Sequence, residues 1–278
     1  MKWHRTPCGL KTGALLIILV FATILASCSG PKNGERTMLP IDTISADEWK
    51  VLSQKRILFG HQSVGNNILS GARSLADGAG AGLKIVESRN APADTGITHF
   101  KIGKNEDPRS KIKDFENTLA GGAAQGADVA LMKVCYIDIH ADTDAGKLAE
   151  EYLASLERLS RQFPRTVFIA VTAPLKTVQS GPKALLKRLM GREIGGYADN
   201  FRRQEFNTVL RNSSAFKGRL FDIAKFEAEG AGSHQYKGQA LEVLNPALSN
   251  DGGHLNARGE QYIAARLLKL LAAVHRPQ

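Results

Sequence analysis

Arg56-Ile57-Leu58-Phe59-Gly60-His61-Gln62-Ser63-Val64-Gly65-Asn66-Asn67 opens as an apolar run, turns through polar and glycine residues, and passes into a helical pattern near 64–76. A continuous apolar run, unlike an alternating one, belongs to a strand buried on both faces. Four more such runs follow at 83–87, 128–136, 166–172 and 219–223. Helical patterns lie near 108–120, 146–162, 197–211 and 256–274. Strands separated by helices need a parallel sheet covered on both sides. The spacing therefore predicts an α/β fold, a three-layer α/β/α sandwich around a five-stranded parallel sheet of flavodoxin-like character. In such sheets ligands sit at the carboxyl ends of the strands, so the loops after each run carry most of the functional weight. Residues 176–198 and 225–250 read as the longest irregular insertions, suited to walling a site.

The remaining composition agrees with a folded domain. Of 278 residues, 43% are hydrophobic and 23% charged, which is too apolar for a disordered chain. Three cysteines exclude a disulfide framework, and collagen-like, coiled-coil and multi-span membrane classes are excluded as well. Lys2, Arg5 and Lys11 precede an uncharged stretch at 14–26 that falls short of the ~20 residues of a permanent span. It runs into Leu25-Ala26-Ser27-Cys28, which resembles the lipobox of bacterial lipoproteins. That resemblance implies a signal peptide over 1–27, a diacylglyceryl group on Cys28, a polar tether over 28–44 and a domain over 45–278. Ser29 after the lipidated residue implies outer-membrane sorting, with the domain anchored in the bacterial cell envelope and facing the periplasm. Cys8 then leaves with the signal, and Cys135 remains as a lone thiol. Formal charge falls from +10 to +7 as the three basic residues of 1–27 are lost. Such a surface suits anionic lipids or acidic glycans. Nothing resembles a nucleic-acid module. Ser45-Ala46-Asp47-Glu48 is a capping box that opens a short helix to about Gln54.

Ser63 falls at a strand-to-helix turn, exposed at the carboxyl edge, where a helix N-terminus favours developing negative charge. Gly60 and Gly65 are expected to let the backbone bend around it. The plainer reading makes Ser63 a helix cap. Near the other end, Ser249-Asn250-Asp251-Gly252-Gly253-His254-Leu255-Asn256 precedes the last helix. A D-x-x-H loop brings a carboxylate within one turn of an imidazole, so Asp251 can set the ring's tautomer while His254 accepts a proton. The same residues also read as a polar turn with Asn256 as cap, and both readings hold together.

These two blocks, in this order on an α/β sandwich, resemble the SGNH (GDSL-like) hydrolase superfamily. The resemblance covers about 45–275 and implies Ser63 as nucleophile, His254 as general base and Asp251 as its orienting acid. Two departures stand out. Gly60-His61-Gln62-Ser63-Val64 replaces the usual Gly-Asp-Ser-Leu, and Lys133-Val134-Cys135-Tyr136-Ile137-Asp138 follows the third run without the expected Asn. The resemblance then assigns the oxyanion donors to the amides of Ser63 and Gly103 plus a third group, for which Asn105 and Asn66 are candidates. His61 is a candidate pocket residue.

Cys135 reads as a small apolar residue at a strand end. Asp138, His140, Asp142 and Asp144 lack the full calcium-loop signature and read as caps and solvated charge, so no metal and no cofactor is expected. Lys183, Lys187, Arg188, Arg202 and Arg203 read as solvated helix faces. The resemblance implies a serine esterase that removes O-acyl groups, acetyl among them, from glycans or other esters. An O-acyltransferase acting on a polysaccharide and a non-catalytic lipoprotein binding glycan or a partner are the alternatives.

Overall fold

The computed structural model describes residues 39–275. The signal peptide expected over 1–27, the lipidated Cys28 and the tether as far as residue 38 lie outside the described residues. In chain order the elements are α1 (Ala46–Ser53), β1 (Arg56–His61), α2 (Ser63–Ala79), β2 (Ile85–Glu87), β3 (Gly96–Lys101), α3 (Pro108–Thr118) and β4 (Val129–Met132). There follow α4 (Ala145–Gln162), β5 (Val167–Val171), α5 (Pro182–Leu189), α6 (Tyr197–Arg211), β6 (Leu220–Phe221) and α7 (Ile223–Ala228). A small hairpin, β7 (Gln235–Tyr236) with β8 (Gln239–Ala240), precedes α8 (Ala257–Ala273).

Six strands form one sheet in the order β2-β3-β1-β4-β5-β6, and every pair is parallel. The expected α/β/α sandwich is present with one strand more than the five anticipated. The additional strand is β3, whose Thr98 and His99 interrupt the apolar pattern although both are buried. It lies beside β1 in register from Arg56↔Gly96 to His61↔Lys101, so the segment after Lys101 flanks the segment after His61.

Successive strand residues face opposite sides of the sheet. Ile57, Phe59, Leu131 and Ile169 share one buried cluster with Ile68 of α2 and Leu267 and Leu268 of α8. Leu58, Met132 and Phe168 share the other with Phe115 of α3, Tyr152 of α4 and Phe206 of α6. This alternation makes the three layers. Leu39, Ile41 and Ile44, within the expected tether, pack against the first cluster.

The helix ends follow ordinary capping chemistry. Ser45 Oγ accepts from Glu48 N–H at 3.2 Å while Glu48 Oε2 accepts from Ser45 N–H at 2.7 Å, the reciprocal box expected. Asn256 caps α8 by accepting from Gly259 N–H at 2.9 Å. At the far end of α8, Lys55 Nζ donates to the carbonyls of Leu271 and Val274, both at 2.6 Å. Lys55 immediately precedes β1, so α8 ends at the amino edge of the sheet and starts at the carboxyl edge. The segments at 176–198 and 225–250 are less irregular than expected, since they hold α5, part of α7 and the hairpin.

Candidate active site

β1 delivers the chain to Gln62, the residue before α2, and Ser63 is the first residue of the helix. Gln62 does not cap with its side chain. Its Nε2 donates instead to the carbonyls of Ile102 and Gly103 at 2.8 and 3.1 Å, tying the two neighbouring loops together. The first helical bonds are Gly65 N–H and Asn66 N–H to Gln62 O, at 2.8 and 3.3 Å. The amides of Ser63 and Val64 therefore lie ahead of the hydrogen-bonded ladder. The Ser63 hydroxyl is half-buried and makes no hydrogen bond among the described residues. Ser63 is thus not the cap. Gly60 and Gly65 have no positive φ and do not bend the chain; they are small because Phe115 and His61 crowd them. A Cβ on Gly65 would lie 2.3 Å from His61 Cβ.

The loop before α8 supplies the imidazole. His254 Nδ1–H donates to Asp251 Oδ2 at 2.7 Å, and Asp251 Oδ1 accepts from the N–H groups of Gly253 and His254 at 2.9 and 2.8 Å. These bonds, the His254 side chain first, hold the Asp251 carboxyl far below the usual carboxylate range. A carboxylate only accepts, so the contact fixes the proton on Nδ1 and leaves Nε2 as the acceptor nitrogen of the ring. Ser249 Oγ closes the turn by donating to His254 O at 2.6 Å and accepting from Gly252 N–H at 2.9 Å.

Three contacts put Ser63 and His254 at one edge. Strands β1 and β4 are neighbours, and Lys133 N–H donates to Gly60 O at 3.2 Å as both leave the sheet. Asn67, one turn after Ser63, donates to Glu260 Oε1 of α8 at 2.7 Å. Tyr136, in the turn after β4, places its hydroxyl 3.4 Å from His254 Nε2 and 3.5 Å from Nδ1, with the two rings edge to face. A Cβ on Gly253 would meet Tyr136 Cζ at 2.7 Å, so the close approach of this loop requires glycine there. Burial, with the Asp251 charge second, pushes the Tyr136 hydroxyl up, which keeps it a donor.

Tyr136, Lys176 and Arg203 were not singled out as site residues in the sequence. Arg203, expected on a solvated face, is buried: its Nε donates to Tyr136 O at 2.9 Å and its Nη1 to Asn200 Oδ1 at 2.6 Å. Asn200 in turn bonds both the N–H and the carbonyl of Lys176, whose Nζ lies 5.3 Å over the Tyr136 ring. Burial pulls the Arg203 guanidinium down to about 10, still charged at neutral pH. An arginine two residues after Phe201 on an amphipathic pattern carries no local signal of this role.

The remaining candidates are placed differently from expectation. His61 does not line a pocket. It is fully buried, its Nδ1–H donates to Gln62 O at 2.8 Å, and its Nε2 accepts from His99 Nδ1–H at 3.1 Å. Burial pulls its imidazole down to about 3, so it is neutral. The Gly103 N–H is already given to Asp114 Oδ2 at 2.9 Å and is not turned to an oxyanion. Asn105 is exposed and its Oδ1 accepts from Lys111 Nζ at 3.0 Å; Asn66 is exposed on α2. Asp138 forms a fully buried pair with Lys111 Nζ at 2.6 Å and also accepts from the N–H groups of Glu106 and Cys135. Its lone pairs are thereby occupied. Asp144 caps α4, accepting from Lys147 N–H at 3.1 Å. Among the described residues no cluster of three His, Cys, Asp or Glu is arranged to hold a metal. Cys135 is a buried thiol 3.6 Å from Lys133 Nζ.

No family model matches the chain, and no curated protein matches it in sequence. Among solved structures it is similar to a provisionally assigned platelet activating factor from Streptococcus pneumonia: 13% identity, TM-score 0.47, covering 94% of this chain and 100% of that one. It is also similar to a provisionally assigned lipolytic protein of the G-D-S-L family from Desulfitobacterium hafniense, at 11% identity and TM-score 0.45, covering 78% and 99%. A third is the periplasmic domain of a lipopolysaccharide acetyltransferase from Salmonella ser. Paratyphi A, at 13% identity and TM-score 0.40, covering 81% and 84%.

Proposed function

We propose that this chain is an envelope-anchored serine esterase of SGNH type that removes O-acyl groups from glycans or related esters through an acyl-enzyme. The supporting observation is the 2.7 Å Asp251–His254 contact, which leaves Nε2 as the acceptor nitrogen at the sheet edge where α2 begins with Ser63. His254 Nε2 takes the Ser63 proton as Oγ attacks the ester carbonyl. The carbonyl oxygen becomes an oxyanion facing the amides at the start of α2. As the C–O bond breaks, His254 returns the proton to the departing alcohol. Water, deprotonated by the same Nε2, then attacks the acyl group; as the acyl–Oγ bond breaks, His254 returns that proton to Ser63 and the acid is released. Tyr136 replaces the missing Asn as a third donor, since its hydroxyl stands beside Nε2 and stays protonated. The Ser249-to-His254 turn positions the imidazole, and Cys28 carries the lipid that holds the domain at the outer membrane.

The same acyl-enzyme serves an acyltransferase when a sugar hydroxyl replaces water. The Asp251 and His254 side chains are 57% and 41% exposed, open enough to admit such an acceptor. Hydrolysis of p-nitrophenyl acetate by the wild-type chain and by Ser63→Ala tests the reading. Activity that vanishes with Ser63 supports it, whereas equal background rates in both favour a non-catalytic binding protein. With activity established, partition of the acyl group between water and an added glycan separates hydrolase from transferase.

A further inference from the structure

Helix α5 turns its apolar side away from the protein. Leu185, Leu186, Leu189 and Met190 are 60%, 58%, 78% and 53% exposed, four of the five large hydrophobic side chains exposed among the described residues. At ~100° per residue Leu185, Leu186 and Leu189 share an arc of ~100° on α5, and Met190 continues that face one residue past its end, its N–H bonded to Leu186 O at 3.0 Å. The opposite side seats Ala184, which is buried, and Lys187 Nζ reaches back to Gln179 Oε1 at 2.8 Å. The segment from 176 to 196 carries five basic residues against a single acid, Glu193; Lys176 sits over Tyr136 and Lys187 turns back to Gln179, while Lys183 and Arg192 are exposed. Glu193 accepts from the Tyr236 hydroxyl at 2.5 Å. An outward apolar face among basic residues is the pattern of a helix lying in the headgroup region of an anionic membrane.

Position narrows the occupant. The α5 segment is clamped at its base by Gln179 N–H to Gly195 O at 3.0 Å and rests on the catalytic loop through Thr177 N–H to Gly252 O at 2.9 Å. Leu39 lies at the same end of the sheet, its carbonyl accepting from Arg258 in the first turn of α8. Ten residues, eleven backbone steps, separate Leu39 from Cys28, a reach of at most about 40 Å at ~3.6 Å per step. A lipid on Cys28 would therefore hold the α5 end of the domain near a bilayer. We propose that α5 docks on an anionic phospholipid surface, inserting Leu185, Leu186, Leu189 and Met190 and bringing the Ser63–His254 edge down to the membrane.

The proposal takes the anchor from the functional reading but needs none of its chemistry. The test uses the full chain carrying Leu189→Trp, reconstituted in phosphatidylcholine vesicles with and without 30% phosphatidylglycerol, some of the lipid being brominated. Docking predicts a blue-shifted, bromine-quenched emission with phosphatidylglycerol, over the constant background of the native tryptophans, that weakens in high salt. Lys183→Gln with Arg192→Gln should weaken the membrane affinity of this face about fivefold per residue changed. Ser63→Ala should leave docking intact, so loss of esterase activity and loss of docking are read separately. Emission from the introduced indole that stays unquenched in vesicle-bound protein overturns the proposal. So does a blue shift that grows with protein density without phosphatidylglycerol and is matched by Leu189→Cys cross-linking between copies, which makes the face a self-interface.

Discussion

Replacing Asp251 by Asn exchanges one carboxylate oxygen for an amide nitrogen and leaves the shape of the loop unchanged. Asp251 Oδ1 accepts from the Gly253 and His254 amides, and Asn retains an oxygen for both. What is lost is the acceptor 2.7 Å from His254 Nδ1, together with the charge that, on the proposed mechanism, faces the imidazolium formed when Ser63 gives up its proton. Two unit charges ~4 Å apart interact by about 1 kcal/mol in water and about 4 kcal/mol at an effective dielectric of ~20. With side chains 57% and 41% exposed, solvent screens the pair to the lower end, about 1 kcal/mol. At 1.36 kcal/mol for each factor of ten, kcat/KM falls about fivefold from the lost charge alone. The Asn side-chain N–H also faces Nδ1 and favours the unproductive tautomer, which adds to that loss. The assay is p-nitrophenyl acetate hydrolysis under subsaturating substrate, with thermal melting to confirm that the loop still folds. If Asp251→Asn keeps kcat/KM within twofold of wild type while Ser63→Ala abolishes it, Asp251 is a strut of the turn and does not orient the base.

Tyr136→Phe keeps the ring that packs on Gly253 and removes only the hydroxyl. If that group donates to the oxyanion, kcat falls toward the ~10²–10³ typical of a lost donor with KM little changed, and an unchanged kcat assigns Tyr136 to packing alone. Lys111→Met strands the fully buried Asp138 and should cost about 3–5 kcal/mol in denaturant unfolding. The double variant Lys111→Met, Asp138→Leu should not recover, because Asp138 also satisfies the Glu106 and Cys135 amides; recovery to wild-type stability would refute that bracing role. Burial pushes Glu227 up to about 8, so between the usual carboxylate range and that value the folded chain holds a proton the unfolded chain has lost. Glu227 therefore contributes a stability that is full in acid and declines as pH rises through about 8. Glu227→Gln should flatten the fall in Tm between pH 5 and 8.5, and an equally steep fall in the variant would show that other groups cause it.

What the sequence made legible was local in character. β1 and β5 are continuous apolar runs, and a strand buried on both faces leaves that trace whatever surrounds it. Asp251 and His254 lie within one turn, and Ser63 follows a strand, so their candidacy needed no knowledge of the rest of the chain. β3 leaves a weak trace because Thr98 and His99 look like loop residues until the partners of His99 are known: His61 Nε2 lies 3.1 Å from His99 Nδ1 and Arg73 Nη2 3.4 Å from His99 Nε2. The assignment of Gly103 failed for a related reason. Whether an amide is free depends on what is aimed at it, and Asp114, eleven residues further on in α3, returns to take it.

The same reasoning explains why the donor set around Ser63 could not be completed from motifs. Four of the loops at the carboxyl edge, those after β1, β3, β4 and β5, are held by side-chain hydrogen bonds. Gln62 holds the Ile102–Gly103 turn, Asp138 holds the Glu106 and Cys135 amides, and Asn200 joins Arg203 to Lys176. Each of these ties spans between 3 and about 40 residues, and most reach a backbone group, whose position depends on folding and not on residue type. Tyr136 is the product of that arrangement. Its carbonyl is held by Arg203, its ring lies under Lys176 and against Gly253, and its hydroxyl is thereby brought beside His254. A tyrosine has a longer reach than the Asn expected after that strand, so it can present a donor to the edge only if its backbone is set back and its ring is guided. The brace from α6 holds the Tyr136 backbone through its carbonyl, so under the proposed donor role the departure from the expected motif depends on the burial of Arg203.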